Sequence, residues 1–170
     1  MIRKYKVLFL CRENSARSII AEALLRELAG DRFEAFSAGA TPAARVHSLA
    51  IAQLRPGVSD LEVLSPKSWL EFTGEWAPLM DLVIAMDDCV DEYHAPTFPG
   101  EPHFIKWNFA DPLAEGMTHA ERTRSFEKVF WQIVRRVSVF MELPRYAVPM
   151  AEHATTIESI PGANEMLCAR

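Results

Sequence analysis

The chain has 170 residues, 49% of them hydrophobic, and a formal net charge of −5 at pH 7. This length and apolar content fit one globular domain with a sizeable core, and the negative charge gives no indication of a nucleic-acid surface. The apolar run after the basic N-terminal residues covers only residues 7–10, too short for a signal peptide, and no run approaches the ~18 apolar residues that span a membrane. We therefore expect a cytoplasmic protein without a membrane or nucleic-acid partner.

Strand-like and helix-like segments alternate along the chain. The apolar run over residues 5–10 is typical of a central strand in a parallel sheet. In residues 17–29 apolar side chains recur at the helical spacing, which predicts that Ile20, Leu24 and Leu28 are buried. The predicted elements are, in order, a strand at 5–10, helix at 17–29, strand at 33–38, helix at 46–54, short helix ending near 72, strands at 82–86 and 103–107, and a long helix at 118–141. This alternation predicts an α/β three-layer sandwich with a small, about four-stranded parallel sheet.

Local signals set several boundaries. Ser65 followed by Pro66 predicts a helix N-cap with proline at the first helical position, and residues 118–121 have the form of a capping box. Residues 87–102 make a long connection, and connections of this length inside a compact domain are usually functional. The periodicity decays after residue 144, so we predict one domain over residues 1–144 and a C-terminal extension over residues 145–170.

The cysteines and histidines show no metal-binding pattern. The three cysteines, Cys11, Cys89 and Cys168, are too scattered for a disulfide framework or a ligand cluster. The five histidines are spread along the chain without ligand spacing. We expect no metal and no bound cofactor.

The stretch over residues 11–18 has the form of an anion-binding loop. It connects the end of the first strand to a predicted helix, whose N-terminus offers unpaired N–H groups and the positive end of a dipole. Successive N–H groups of such a loop converge as a nest for an anion. The loop backbone predicted to bind the oxyanion belongs to Arg12, Glu13, Asn14, Ser15 and Ala16.

Three side chains of this stretch predict nucleophilic chemistry on a tetrahedral oxyanion. A cysteine that faces a helix N-terminus and an arginine has a lowered pKa, so Cys11 is expected to be a thiolate nucleophile. Arg17 offers a planar fork for two oxygens, and Ser18 can hydrogen-bond the thiolate. Asn14 tolerates the left-handed backbone that a tight loop requires. The alternative is a buried structural cysteine beside a surface arginine.

A thiolate that attacks a phosphoryl-like centre needs an acid to protonate the departing oxygen. Asp111 follows the last predicted strand, so it should share a sheet edge with Cys11. From the residues alone, a structural Asp111-Pro112 turn is the favoured interpretation, because such turns are common.

The pattern Cys11-x5-Arg17-Ser18 with an intervening Asn14 resembles the phosphate-binding loop of the low-molecular-weight protein tyrosine phosphatase superfamily. This superfamily includes arsenate reductases, and the resemblance covers residues 5–143. It implies that Asp111 is the general acid. Three further strings are similar to the arsenate reductase branch, namely Trp-x-Phe-x-Asp-Pro at 107–112, Phe-Pro-Gly at 98–100 and Ser-Ala-Gly at 37–39.

The chain departs from the thioredoxin-coupled arsenate reductases, which carry two further relay cysteines. The corresponding positions fall on Asp87 or Asp88 and on Ala95. We therefore expect an external thiol, such as glutathione with glutaredoxin or a thioredoxin-type protein, to complete a reduction. Two interpretations of Cys89 stay open, a resolving thiol for Cys11 or a packed cysteine, while Cys168 is a weaker candidate.

A second departure is Glu13, where the phosphatase loop commonly has glycine. A side chain there must point away from the anion, or its charge opposes binding. Three further carboxylates, those of Asp87, Asp88 and Asp91, would make the entrance of the site acidic.

Three functions therefore remain as hypotheses. The first is arsenate reduction with an external thiol, which the branch resemblance favours. The second is a phosphatase that works through a phosphocysteine intermediate, although Leu113 stands where tyrosine phosphatases usually have an aromatic residue. The third is a non-catalytic oxyanion-binding module.

Overall fold

A computed structural model of the chain describes residues 3–143 and shows a parallel sheet with the strand order β2-β1-β3-β4. The four strands of the described residues are β1 (Tyr5–Cys11), β2 (Phe33–Gly39), β3 (Leu82–Ala85) and β4 (His103–Lys106). The helices are α1 (Arg17–Ala29), α2 (Ser48–Leu54), α3 (Cys89–Glu92) and α4 (His119–Met141), with a 3-10 helix at Trp69–Phe72. The predicted α/β fold is confirmed.

The side chains of β1 alternate between two cores, and this alternation creates the layers. Val7 and Phe9 face a core that they share with α1, α2 and α4. Leu8 and Leu10 face a second, smaller core on the other side of the sheet, with the 3-10 helix and Cys89. Because β1 is buried on both faces, its sequence is a continuous apolar run rather than an alternating one.

The parallel sheet brings the candidate residues to one edge. Cys11 is the last residue of β1 and pairs with Gly39 at the end of β2. The residues that follow β3 and β4 leave the sheet at the same edge, because the carboxyl ends of parallel strands lie together. Asp87 and Asp111 therefore lie near Cys11 although they are distant in sequence.

The element predictions hold with three corrections. The N-cap of the 3-10 helix is Ser68, whose hydroxyl accepts from the Leu70 N–H, and not Ser65, because Pro66 precedes the helix instead of opening it. Leu28, which is predicted to be buried, is 48% exposed, because it lies near the end of α1 at the edge of the apolar face. The connection over residues 87–102 contains α3 and is not a loop throughout.

The capping box at the start of α4 is confirmed. The Thr118 hydroxyl accepts from the Glu121 N–H, and the Glu121 carboxylate accepts from the Thr118 N–H. None of the helices within residues 3–143 is long and apolar enough to cross a membrane. The extension over residues 145–170, together with Cys168, lies outside the described residues, so the predicted domain division stays a prediction.

Candidate active site

In the loop between β1 and α1, several carbonyl groups point toward a neighbouring segment of the chain. Three of its carbonyl oxygens accept hydrogen bonds of 2.9 Å from a single neighbouring segment. The pairs are Thr41 N–H to Arg12, Ala43 N–H to Glu13 and His47 N–H to Ser15. The N–H groups of residues 13–16, by contrast, donate to no acceptor within residues 3–143. Buried N–H groups almost always have an acceptor, so the loop is built to receive an anion.

Asn14 holds this loop in shape from inside the protein. It is fully buried and has a φ of 50°, in the left-handed region that Asn tolerates. Its Nδ2 donates to the hydroxyls of Ser18 (2.7 Å) and Ser37 (2.9 Å), and its Oδ1 accepts from the Lys67 N–H (2.9 Å). The loop is thus tied to α1, to β2 and to the segment before the 3-10 helix.

Gly39 allows the loop to approach β2 closely. A Cβ at this position would lie 2.9 Å from the Arg12 carbonyl oxygen and 2.9 Å from the Asn14 nitrogen. Both are backbone atoms of the loop, so a larger residue would push the loop away from the sheet. The Ser-Ala-Gly string is therefore part of the site's construction.

Replacing Asn14 with alanine is expected to destabilise the protein by about 2–4 kcal/mol, because Ser18, Ser37 and the Lys67 N–H lose a buried partner and alanine is strained at positive φ. Urea unfolding followed by fluorescence measures the change. Asn108→Ala is the matched control, since Asn108 is exposed. Equal stability of the two variants would show that the Asn14 contacts contribute nothing net.

Cys11 lies at the bottom of the site and is 2% exposed. Its Sγ is 2.8 Å from the Ser18 Oγ. Because Asn14 donates to that same oxygen, the Ser18 hydroxyl hydrogen is available to donate to the sulfur. Burial raises the pKa of the Cys11 thiol, although Arg17 and hydrogen bonds from Ser18 lower it in part. Burial thus opposes the ionisation that the sequence pattern predicts, whereas Arg17 and Ser18 favour it, and the resting thiolate stays a prediction.

The Arg17 guanidinium is buried and contacts three other residues. Its Nη2 lies 2.7 Å from Asp87 Oδ2 and 3.6 Å from Asp111 Oδ1. Its Nη1 donates to the Phe109 carbonyl oxygen at 3.2 Å. The fork is therefore oriented before any anion arrives, and Asp87 already balances its charge.

Asp111 and Cys11 line the same cleft. The cleft has an empty volume of about 210 Å³, including its open mouth. Its lining residues are Cys11, Glu13, Ser15, Ala16, Arg17, Asp111 and Leu113. The Asp111 side chain is 38% exposed, and its Oδ1 accepts from the Leu113 N–H at 2.9 Å. Asp111 therefore forms the structural turn and also lines the cleft of the predicted nucleophile.

Asp87 is a site residue whose contact with Arg17 sequence reasoning missed. Besides Arg17, its carboxylate accepts from the N–H groups of Arg12 (3.3 Å) and Cys89 (2.9 Å). The Arg12 N–H is therefore occupied, unlike those of the other loop residues predicted to bind the oxyanion. The available signal was the position of Asp87 two residues after β3, at the same edge as Cys11.

Cys89 is 1% exposed and packs with Leu8 and Leu10 in the core on the opposite face of the sheet from Val7 and Phe9. Burial, together with the hydrogen bond to Asp87 and its charge, raises the pKa of the Cys89 thiol. Such a thiol is a poor nucleophile in this conformation. Within residues 3–143, no group of three or more His, Cys, Asp or Glu side chains is arranged to hold a metal ion.

Comparison with known proteins identifies the family. Residues 6–145 match the family described as low molecular weight phosphotyrosine protein phosphatase. The chain belongs to this family. The predicted resemblance is thereby confirmed, and the chain is an enzyme of the low molecular weight phosphatase superfamily.

Relatives within this superfamily include arsenate reductases. The arsenate reductase of Halalkalibacterium halodurans is 28% identical over 146 residues, which cover 83% of this chain and 98% of that protein. That of Bacillus cereus strain Q1 is 26% identical over 151 residues, covering 84% of this chain and 98% of that protein.

Solved structures show the same fold. The thioredoxin-dependent arsenate reductase of Corynebacterium glutamicum matches with a TM-score of 0.60 and 28% identity over 82% of this chain, but this chain spans only 61% of that protein. The tyrosine phosphatase Wzb of Escherichia coli K30, in complex with sulphate, matches with a TM-score of 0.63 and 21% identity. The match covers 84% of this chain and 98% of that protein, and at this identity it supports the fold alone.

Proposed function

We propose that the protein reduces arsenate to arsenite, with Cys11 as the nucleophile and an external thiol completing the reduction. The observation that carries this proposal is the single cleft that Cys11, Arg17 and Asp111 line together. The arsenate reductases among the relatives support the choice of substrate. No observation favours a purely oxyanion-binding module, since Asp111 faces the same cleft as the nucleophile.

In the first step Cys11 attacks the arsenic atom. The loop N–H groups and Arg17 hold the arsenate oxygens, and they stabilise the negative charge that accumulates in the transition state. A sulfur–arsenic bond forms and an arsenic–oxygen bond breaks. The oxygen leaves as water, with one proton from Asp111 and with the thiol proton taken up by the bound arsenate. Arsenic is still pentavalent at this stage.

In the second step a thiol from solution attacks the Cys11 sulfur. A mixed disulfide forms, and the sulfur–arsenic bond breaks with its electron pair remaining on arsenic, which leaves as trivalent arsenite. Arsenic thus gains the two electrons that the two sulfur atoms lose on forming the disulfide. A second external thiol then releases Cys11 by thiol–disulfide exchange.

A phosphatase is the second candidate, and one observation favours it. Among the described residues that line the cleft, Cys11 is the only thiol, and the nearby Cys89 is buried outside that lining, so no exposed second thiol faces an oxidised intermediate there. Water would then hydrolyse a phosphocysteine. Against a phosphotyrosine substrate, Leu113 lacks the flat ring that stacks on an aromatic leaving group.

The burial of Cys89 supports a reductant from outside the protein. Because this thiol is buried on the other face of the sheet, we propose that glutathione with glutaredoxin, or a thioredoxin-type protein, supplies the second thiol. A reducing cytoplasmic location suits an enzyme whose Cys11 must return to the free thiol after each turnover.

The deciding experiment supplies the reduced protein with arsenate, glutathione and glutaredoxin and measures arsenite. A parallel assay replaces the glutathione system with thioredoxin and its reductase, and p-nitrophenyl phosphate hydrolysis is the companion measurement. Arsenite formation that depends on Cys11 supports the reductase. Phosphate release without arsenite would establish the phosphatase instead.

A variant with Cys11 as its sole cysteine separates the two sources of the second thiol. We expect Cys89→Ser combined with Cys168→Ser to keep arsenate turnover within about twofold of wild type when glutathione and glutaredoxin are present. For Cys89 the reason is that a buried thiol with a raised pKa is a poor nucleophile in disulfide exchange, and Cys168 is replaced so that Cys11 is the sole cysteine. A loss of turnover with normal arsenate binding would instead assign the resolving role to one of these cysteines.

A further inference from the structure

Glu13 is an acidic residue at the anion cleft. The residue lines the cleft beside Cys11 and Arg17. Within residues 3–143 its carboxylate has no hydrogen-bond or salt-bridge partner. Its charge acts on His47 at the edge of the loop, where it opposes the lowering of the His47 pKa by burial and by Arg122. The carboxylate is therefore not neutralised within the described part of the chain.

The side chains that line the cleft carry no net positive charge, since one basic residue stands against two acidic ones. Arg17 is the only basic residue among those that line it within residues 3–143, and Asp87 lies 2.7 Å from its Nη2. The neighbouring Arg12 does not compensate, because its guanidinium stacks over the Tyr93 ring at 5.6 Å. The loop N–H groups and the positive end of α1 therefore supply most of the attraction for an anion.

We propose that Glu13 is a specificity-determining residue, which makes the cleft favour the singly charged over the doubly charged form of a tetrahedral oxyanion. The proposal rests on the oxyanion cleft of the proposed function but not on arsenate reduction. Coulomb energy scales with the charge of the ligand, so a fixed carboxylate opposes a dianion twice as strongly as a monoanion.

Replacing Glu13 with glutamine tests this with inorganic phosphate and sulfate as probes, measured by isothermal titration calorimetry. Because Glu13 is partly exposed and screened, we expect binding of the singly charged form to tighten about threefold and that of the doubly charged form about tenfold. Sulfate stays doubly charged between about pH 5.5 and pH 8, whereas phosphate gains its second charge in this range. The gain for phosphate should therefore grow with pH, while that for sulfate stays constant.

Other titrating groups face the same space and are controlled by the sulfate reference. They are Cys11, Arg17, Asp87 and Asp111 around the cleft, and His47 with Arg122 at its edge. Any of them that changes charge with pH also changes the affinity for sulfate, whose own charge is constant, so the sulfate series shows whether such a group titrates. Added salt should shrink the difference between the variant and wild type, which a purely structural role would not produce.

Glu115→Gln is the matched control, since Glu115 is exposed and does not line the cleft. Glu13→Asp keeps a carboxylate at this position and should therefore keep the selectivity of the wild-type protein. An unchanged sulfate affinity in Glu13→Gln would overturn the proposal. The wild-type protein provides a second test that needs no variant, because phosphate should weaken relative to sulfate as the pH rises; a constant or rising ratio contradicts the proposal. Since both tests measure binding, a failure to form arsenite leaves them valid.

Discussion

Replacing Cys11 with serine is expected to abolish arsenite formation and phosphate ester hydrolysis alike, with a loss of roughly 10⁶-fold or down to background. A serine hydroxyl ionises far less readily than a thiol and needs an adjacent base to attack. Within residues 3–143 the side-chain hydrogen-bond partner of Cys11 is Ser18, which is not a base. Steady-state turnover with arsenate and with p-nitrophenyl phosphate measures the loss.

Binding should survive this substitution. In the proposed mechanism the loop N–H groups and Arg17 hold the oxygens of the anion, and the serine alters none of these groups. Phosphate affinity by calorimetry is therefore the control, and Cys89→Ser is the comparison variant for the loss of a buried thiol elsewhere. Activity that persists in Cys11→Ser would mean that a different side chain is the nucleophile, and it would remove the basis of both proposed reactions.

Replacing Asp111 with asparagine is expected to slow turnover by about 10²–10⁴-fold. Asparagine keeps the acceptor for the Leu113 N–H but has no proton to give to the departing oxygen. The loss should grow with the basicity of the leaving group, because a poor leaving group depends most on protonation. A series of aryl phosphates with different phenol leaving groups measures this slope.

The structure also supplies the competing explanation for such a loss. Asp111 Oδ1 lies 3.6 Å from the Arg17 guanidinium, so the substitution could act by releasing that side chain. An equal loss for every leaving group would indicate this orienting role, whereas a loss that follows leaving-group basicity indicates proton donation. Glu115→Gln, on the same segment and exposed, should leave the series unchanged.

The sheet and the main helices could be predicted because their side-chain patterns are strong. The run through Val7, Leu8 and Phe9 is apolar at every position because β1 is covered on both faces. The start of α4 was predictable because a capping box is a local interaction between Thr118 and Glu121, three residues apart. In the second case sequence neighbours make the contact, and in the first the burial of both faces is encoded in the residue types themselves.

Features of the site that depend on three-dimensional surroundings were not predictable in the same way. The pairing of Asp87 with Arg17 depends on the direction of a side chain just beyond β3, which no periodicity encodes. The effect of burial, which raises the pKa of Cys11, depends on how completely the surrounding chain excludes water, and the spacing to Arg17 carries no information on that. The wrong choice of Ser65 as the N-cap has a different reason, because both serines suit that position and Pro66 favours Ser65.

The contacts of Asn14 have a consequence for protein engineering. Its three partners come from α1, from β2 and from the segment at Lys67, which are separated by long stretches of chain. The eight residues over 11–18 are therefore not an independent module. Transplanted onto another strand and helix, they would carry the nucleophile and the arginine but would lose the curvature that aims the N–H groups, unless equivalents of Ser37 and Gly39 were moved with them.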